Sequence, residues 1–180
     1  MNRVGKKDII FWIILVIIGI TIGFFLIQRD RNKGFGSISY GVLPSFKLID
    51  NEGNIKTKRD FKNKVWVAHF VPPNCDQACA QFIEFTDSFN KKYTNRKKFH
   101  AVSIFISHKK QKQTPRYPHH LTGKDLEVLF LLKDGFHLKL SEITGSRFIL
   151  IDQNAVIRGY YSLDEEGKLE ELKSDLEKLL

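Results

Sequence analysis

The stretch Val65–Cys79, VWVAHFVPPNCDQAC, constrains this chain most, because it holds both cysteines of a 180-residue sequence. Val65 to Val71 is a run of β-formers, Pro72-Pro73 stops it, and an amphipathic helical pattern opens just past Asn74. Cys75 and Cys79 are therefore expected at a strand-to-helix turn. At i,i+4 on a first helical turn their side chains share one face, with roughly 5–6 Å between Cβ atoms. That spacing suits either a disulfide or one small ion between two sulfurs. The positive end of the helix favours thiolate over thiol, so the pair is expected to be more acidic than a free cysteine. Two inert, buried cysteines are the alternative, and the isolation of both at one helix start argues against it.

The chain can bury one ordinary core, and nothing in it repeats. Its net charge of +9 is unevenly placed, with nine basic residues and no acidic one between Lys91 and Arg116. Such a patch reads as a solvated surface or as a face for anionic lipid or an acidic protein. Ahead of it, Ile9 to Ile27 gives nineteen consecutive uncharged, mostly aliphatic residues. As a helix these cover about 28 Å, close to a bilayer's hydrocarbon thickness. No small-residue cleavage site follows, so an uncleaved anchor is expected rather than a removed signal. The reading is a cytoplasmic N-terminus at 1–8, a transmembrane helix at 9–27, a flexible linker at 28–40 and a folded domain at 41–180. Flanking charge nearly balances, and the orientation rests on a working cysteine pair suiting the extracytoplasmic side. A bacterial inner membrane is favoured because no Arg- and Ser-rich leader precedes the apolar stretch, and nucleic acid is not expected as a partner.

Within 41–180, Ser45 to Asp50 and Ile55 to Thr57 flank a turn at Asn51–Asn54, which predicts a hairpin. Val65 to Val71 reads as a central strand covered on both faces. A helix to about Lys92 follows, with Ala78, Phe82, Phe85 and Phe89 as its packing stripe. Ala101 to Ser107 reads as a second buried strand, parallel to the first through a right-handed crossover. A helix over roughly Lys124 to Leu132 comes next, then a hairpin of Arg147–Asp152 and Val156–Ser162. The last helix, Asp164 to Leu180, carries Leu169, Leu172, Leu176 and Leu179 on one face. The expected fold class is α/β, thioredoxin-like, with a central mixed β-sheet flanked by helices and an N-terminal transmembrane helix.

Several stretches resemble the SCO/SenC family of membrane-anchored copper proteins that help assemble the dinuclear copper centre of cytochrome c oxidase. They are LPSFKLIDNEG at Leu43–Gly53, Cys-x-x-x-Cys at Cys75 and Cys79, Thr114-Pro115, Leu121-Thr122-Gly123, and SRFILIDQNAVIRGYYS at Ser146–Ser162. The resemblance implies that Cys75 and Cys79 are thiolate ligands of copper, and soft sulfur selects Cu(I). It also implies a histidine just before the SRFILID strand, where this chain has Thr144, a poor copper ligand. Ala80 stands where the family has proline, and His108 and Gln113 where it usually has aspartates. His108 is the best substitute ligand, because it follows the strand beside the cysteine turn, and His137 is the second choice. His69 reads as a core residue or a support behind the site, and His100, His119 and His120 as surface. The implied partner is a cytochrome c oxidase subunit or another periplasmic redox or copper protein.

Two other classes compete. A copper-independent thiol–disulfide oxidoreductase needs only the cysteine pair, although the spacing is not Cys-x-x-Cys and no proline lies just before Arg147. A non-enzymatic assembly scaffold needs only the fold and the basic patch. A peroxidase is disfavoured by Pro72 three residues before Cys75, and a structural zinc site by having two cysteines with no nearby histidine.

Overall fold

The computed structural model describes residues 12, 15–23, 39–72, 77–96, 98–106, 119–143 and 147–180, with backbone alone at 77–80 and 83. Chain contacts divide the protein into Met1–Ser37 and Ile38–Leu180. In the first unit, residues 12 and 15–23 are helical. No helix among the described residues is long and apolar enough to cross a membrane. Nine of the nineteen residues of the 9–27 stretch lie outside them.

The second unit runs β1 (Lys47–Asp50), β2 (Ile55–Thr57), β3 (Val65–Val71), α1 (Gln77–Lys92), β4 (Phe99–Phe105), β5 (His120–Thr122), α2 (Asp125–Phe130), β6 (Arg147–Ile151), β7 (Ile157–Ser162) and α3 (Lys168–Leu179). These strands form one mixed sheet in the order β2-β1-β5-β4-β3-β6-β7. β3 and β4 pair in parallel over their whole length, Val65 opposite Phe99 and Val71 opposite Phe105. All seven residues of β3 are buried. Both of its faces are covered, which is why the segment reads as an unbroken apolar run.

Alternation along the strands splits the core into two layers. On one face Trp66, Ala68 and Phe70 meet Phe46, Phe61, Leu131 and Phe136. Trp66 stacks on Phe61 at 4.5 Å between ring centroids, and Phe70 meets Phe136 edge-on at 5.1 Å. On the other face Phe82 and Phe89 of α1 close on Phe148 of β6, with centroids 5.8 and 6.0 Å away. Leu172 and Leu176 of α3 are fully buried there, as the spacing of the leucines predicts. The Asn90 side chain bonds both Ala101 N–H and Ala101 C=O at 2.9 Å. It thereby serves a stretch of β4 that the three-residue β5 does not pair.

Three local features differ from the sequence expectation. β5 was not anticipated, since three residues carry no readable alternation. The helix expected over Lys124–Leu132 is α-helical only to Phe130 and widens to a π-turn over Leu131–Gly135. A Cβ on Gly135 would lie 2.8 Å from Leu131 and 3.2 Å from Pro44, so the end of this helix rests directly on the chain entering β1. His120, read from sequence as surface, is only 7% exposed, because β5 slots into the sheet beside β4.

Asp152 holds the β6–β7 turn. Its Oδ1 accepts from the N–H groups of Asn154 and Val156 at 2.8 and 2.9 Å, and its Oδ2 accepts from Arg158 Nε and Nη2 at 2.9 and 2.7 Å. Asp152→Ala is expected to destabilise the fold by about 3 kcal/mol, because it removes two charge-assisted hydrogen bonds to a largely buried guanidinium and frees two turn amides. Asp152→Asn should cost less than half of that. Urea unfolding midpoints of the two variants check both figures.

Candidate functional site

β3 ends where Pro72 removes a ladder donor, and β4 ends beside it, with Ile106 N–H donating to Val71 C=O at 3.1 Å. β6 runs antiparallel to β3, with Trp66 opposite Ile151 and Ala68 opposite Ile149. Arg147 therefore enters the sheet at the same end at which Val71 leaves it. Three of the segments that join the sheet at this end are the one that leaves β3, the one that leaves β4, and the one that enters β6. They carry Cys75, His108 and Thr144 respectively, and these three residues lie outside the described residues. Cys79 is the third residue of α1, in its first turn, where unsatisfied N–H groups and the helix dipole favour a negative charge.

Behind this end lies a polar rung inside the sheet. His69 stands opposite Ser103, and Ser103 stands opposite His120, so the three side chains lie in one row across β3, β4 and β5. His69 Nε2 and Ser103 Oγ are 2.6 Å apart. The His69 ring packs edge-on to Phe148 at 5.4 Å and lies 6.3 Å from Phe82, three residues beyond Cys79 on α1. Burial drives the His69 pKa down to about 3, helped by His120, so the imidazole is neutral at working pH. It is a core residue supporting the floor beneath α1, as read from sequence. Its pairing with Ser103 was not read, although a signal was present. Each seven-residue strand, VWVAHFV and FHAVSIF, has a polar residue at its fifth position, and in-register parallel pairing brings the two together.

Of the remaining described histidines, His100, His119 and His120 border one cavity and His137 another. His100 on β4 meets Phe61 edge-on at 6.3 Å, and burial lowers its pKa to about 4. His120 packs 4.4 Å from Phe105, and burial, with His119 adding to it, lowers its pKa to about 4. His119 is half-buried and its pKa is also lowered by burial, with Asp87 opposing the shift. His137 adopts a left-handed backbone (φ 53°) and packs over Gly41, where a Cβ would lie 2.9 Å from its Nε2. Gly41 pairs with Ile157 on the side of β7 away from β3, and His137 shares a cavity with Glu142, Arg147 and Ser162 near the start of β6. Among the described residues no three His, Cys, Asp or Glu side chains gather as a metal site. The donor set that suits a soft ion is the sulfur pair Cys75 and Cys79, which matches Cu(I) by softness and by its tolerance of two ligands.

The depressed imidazoles make stability depend on pH. His69 has a folded pKa near 3 against an ordinary 6.5, so its contribution is complete above pH 6.5 and is lost as the pH falls toward 3. Within that window His69 alone removes up to about 1.4 kcal/mol per pH unit. A His69→Leu/Ser103→Ala double variant should show a slope between pH 6.5 and 4.5 shallower by about one proton. Unfolding free energies measured across that range give the answer, and equal slopes would contradict the assignment.

No family model matches the chain, and no curated protein matches it. Solved structures do. An SCO1/SenC family lipoprotein of Bacillus anthracis superposes with a TM-score of 0.61 at 22% identity, over 79% of this chain and 98% of that one. BsSco, a member of the Sco family of cytochrome c oxidase assembly proteins described with a disulfide switch, superposes with a TM-score of 0.58 at 14% identity, over 79% and 95%. Copper-bound ScoI of Bradyrhizobium japonicum superposes with a TM-score of 0.57 at 17% identity, over 78% and 100%. Thioredoxin-like thiol:disulfide proteins, among them a DsbE protein of Chlorobium tepidum, match comparably, with a TM-score of 0.58 at 18% identity over 77% and 98%. The folded unit thus has the thioredoxin-like architecture that SCO1/SenC proteins and thiol:disulfide proteins share.

Proposed function

We propose that the chain is an SCO-like assembly protein in which Cys75 and Cys79 hold Cu(I) and cycle through a disulfide during maturation of the copper centre of cytochrome c oxidase. The observation that carries this reading is the position of Cys79 in the first turn of α1, just after the exit of a fully buried β3, in a fold shared with copper-bound ScoI. The start of α1 stabilises thiolates, which are the form that binds a soft cation. Copper bound there would be held and transferred as cargo. The His69–Ser103 pair keeps the strand beneath α1 in register without introducing a charge. The 9–27 stretch serves as a membrane anchor, with the folded unit on the periplasmic or extracytoplasmic side of a bacterial inner membrane. An oxidase subunit or another copper or redox protein there is the partner.

The second reading is a copper-independent thiol–disulfide oxidoreductase. Thr144 in place of the family histidine favours it, since the remaining sulfurs suffice for exchange. In that exchange the two thiols form one S–S bond, and their two electrons and two protons reduce a partner disulfide to two thiols.

Anaerobic titration of the purified chain distinguishes the readings. Sub-micromolar Cu(I) affinity that Cys75→Ser and Cys79→Ser each weaken by at least about 100-fold, near 3 kcal/mol, supports copper handling. Absence of Cu(I) binding together with thiol turnover against a disulfide substrate moves the assignment to the oxidoreductase. Thr144→His should complete an imidazole–dithiolate set, and the variant mixed with Cu(II) is expected to show a strong sulfur-to-copper absorption that the parent chain lacks.

A further inference from the structure

On the face of the sheet opposite α1, α2 and the 3₁₀ turn after β2 enclose a groove of about 710 Å³. α2 buries Val128 against the sheet, yet it presents Leu126 and Phe130, one helical turn apart, 83% and 53% exposed. The floor is recessed core, formed by Phe46 and Leu131. The facing wall is basic: Lys47 and Arg59 are exposed, and the Lys58 ammonium hydrogen-bonds the Leu43 carbonyl. Glu127 is the single carboxylate among the lining residues. Two neighbouring large apolar side chains left in water over an open recess mark a binding surface rather than scattered exposure.

We propose that this groove docks an acidic amphipathic segment of a partner protein. The segment sets its apolar side chains against Leu126, Phe130 and Phe46, and its carboxylates against Lys47 and Arg59. A groove with recessed apolar anchors and a charged rim is the geometry of helix-in-groove recognition. The basic wall selects an acidic ligand, and charge complementarity of this kind speeds encounter and sets specificity. A second copy of the chain is a poor occupant. Each copy carries +9, and its acidic amphipathic helix α3 already spends Leu172 and Leu176 on its own core. The inference stands apart from the cysteine pair and holds for either reading of it.

Selection of a displayed random-peptide library on the purified full chain tests the proposal, with counter-selection on a Leu126→Ser/Phe130→Ser variant whose circular dichroism matches the parent. Enriched peptides are expected to combine apolar or aromatic residues with flanking Asp or Glu. The affinity of the best should fall at least tenfold in Lys47→Glu/Arg59→Glu, and its affinity for the parent chain should fall as salt is raised. No enrichment over the counter-selection, or winners indifferent to the charge reversal, would overturn it. Displacement of the selected peptide by vesicles of phosphatidylcholine with phosphatidylglycerol would overturn it in favour of a lipid surface. A parent dimer in sedimentation that Leu126→Ser/Phe130→Ser abolishes would overturn it in favour of self-association.

Discussion

The parallel pairing of β3 with β4 is the constraint on which the rest depends. Parallel neighbours require a crossover, and the crossover here includes α1, whose start at Gln77 follows the end of β3 at Val71 by six positions. Burial of all seven β3 residues then fixes the register, because a slip of one residue would exchange Trp66 and Phe70 with Val67 and His69. On the far side of that connection, Phe82 and Phe89 are buried on the underside of α1. The backbone of Cys79 thereby falls in the first turn of α1, just past the exit of β3.

Polar groups inside this architecture are placed where ladders would otherwise be interrupted. Ser103 takes the His69 nitrogen, Asn90 serves Ala101, and Asp152 gathers two turn amides and Arg158. Buried polar atoms cost much when left unpaired and little when paired, so each of these residues fixes a geometry more than it adds stability. The His69–Ser103 contact joins the two central strands near the end where the cysteine segment leaves. Tyr161 and Asp175, 2.8 Å apart, do the same between β7 and α3.

Much of the fold was legible in sequence because its central elements are long and sharply bounded. Val65–Val71 is stopped by proline, the phenylalanines of α1 repeat at helical spacing, and the β6–β7 hairpin turns on Gln153-Asn154. What escaped was short or decided by distant contacts. β5 is too brief to show a period, and the adjacent His119-His120 looked solvated because the ladder to Ser103 that buries His120 is remote in sequence. The π-turn at Leu131–Gly135 answers to Pro44, almost ninety residues earlier. Cys75 and Thr144 were singled out by the chemistry of their residue types and lie outside the described residues, while Cys79 falls in the first turn of α1. The matching polar positions in β3 and β4 needed the register to become a contact.

Copper handling and thiol exchange make one shared demand: Cys75 and Cys79 must reach each other and be reachable from solvent in the folded chain. Mild oxidation of the native protein, followed by alkylation and peptide mass analysis, asks this directly. The account predicts a single intramolecular Cys75–Cys79 disulfide, with both thiols labelled quickly once it is reduced under native conditions. Thiols that resist both oxidation and labelling until the chain is unfolded would contradict it.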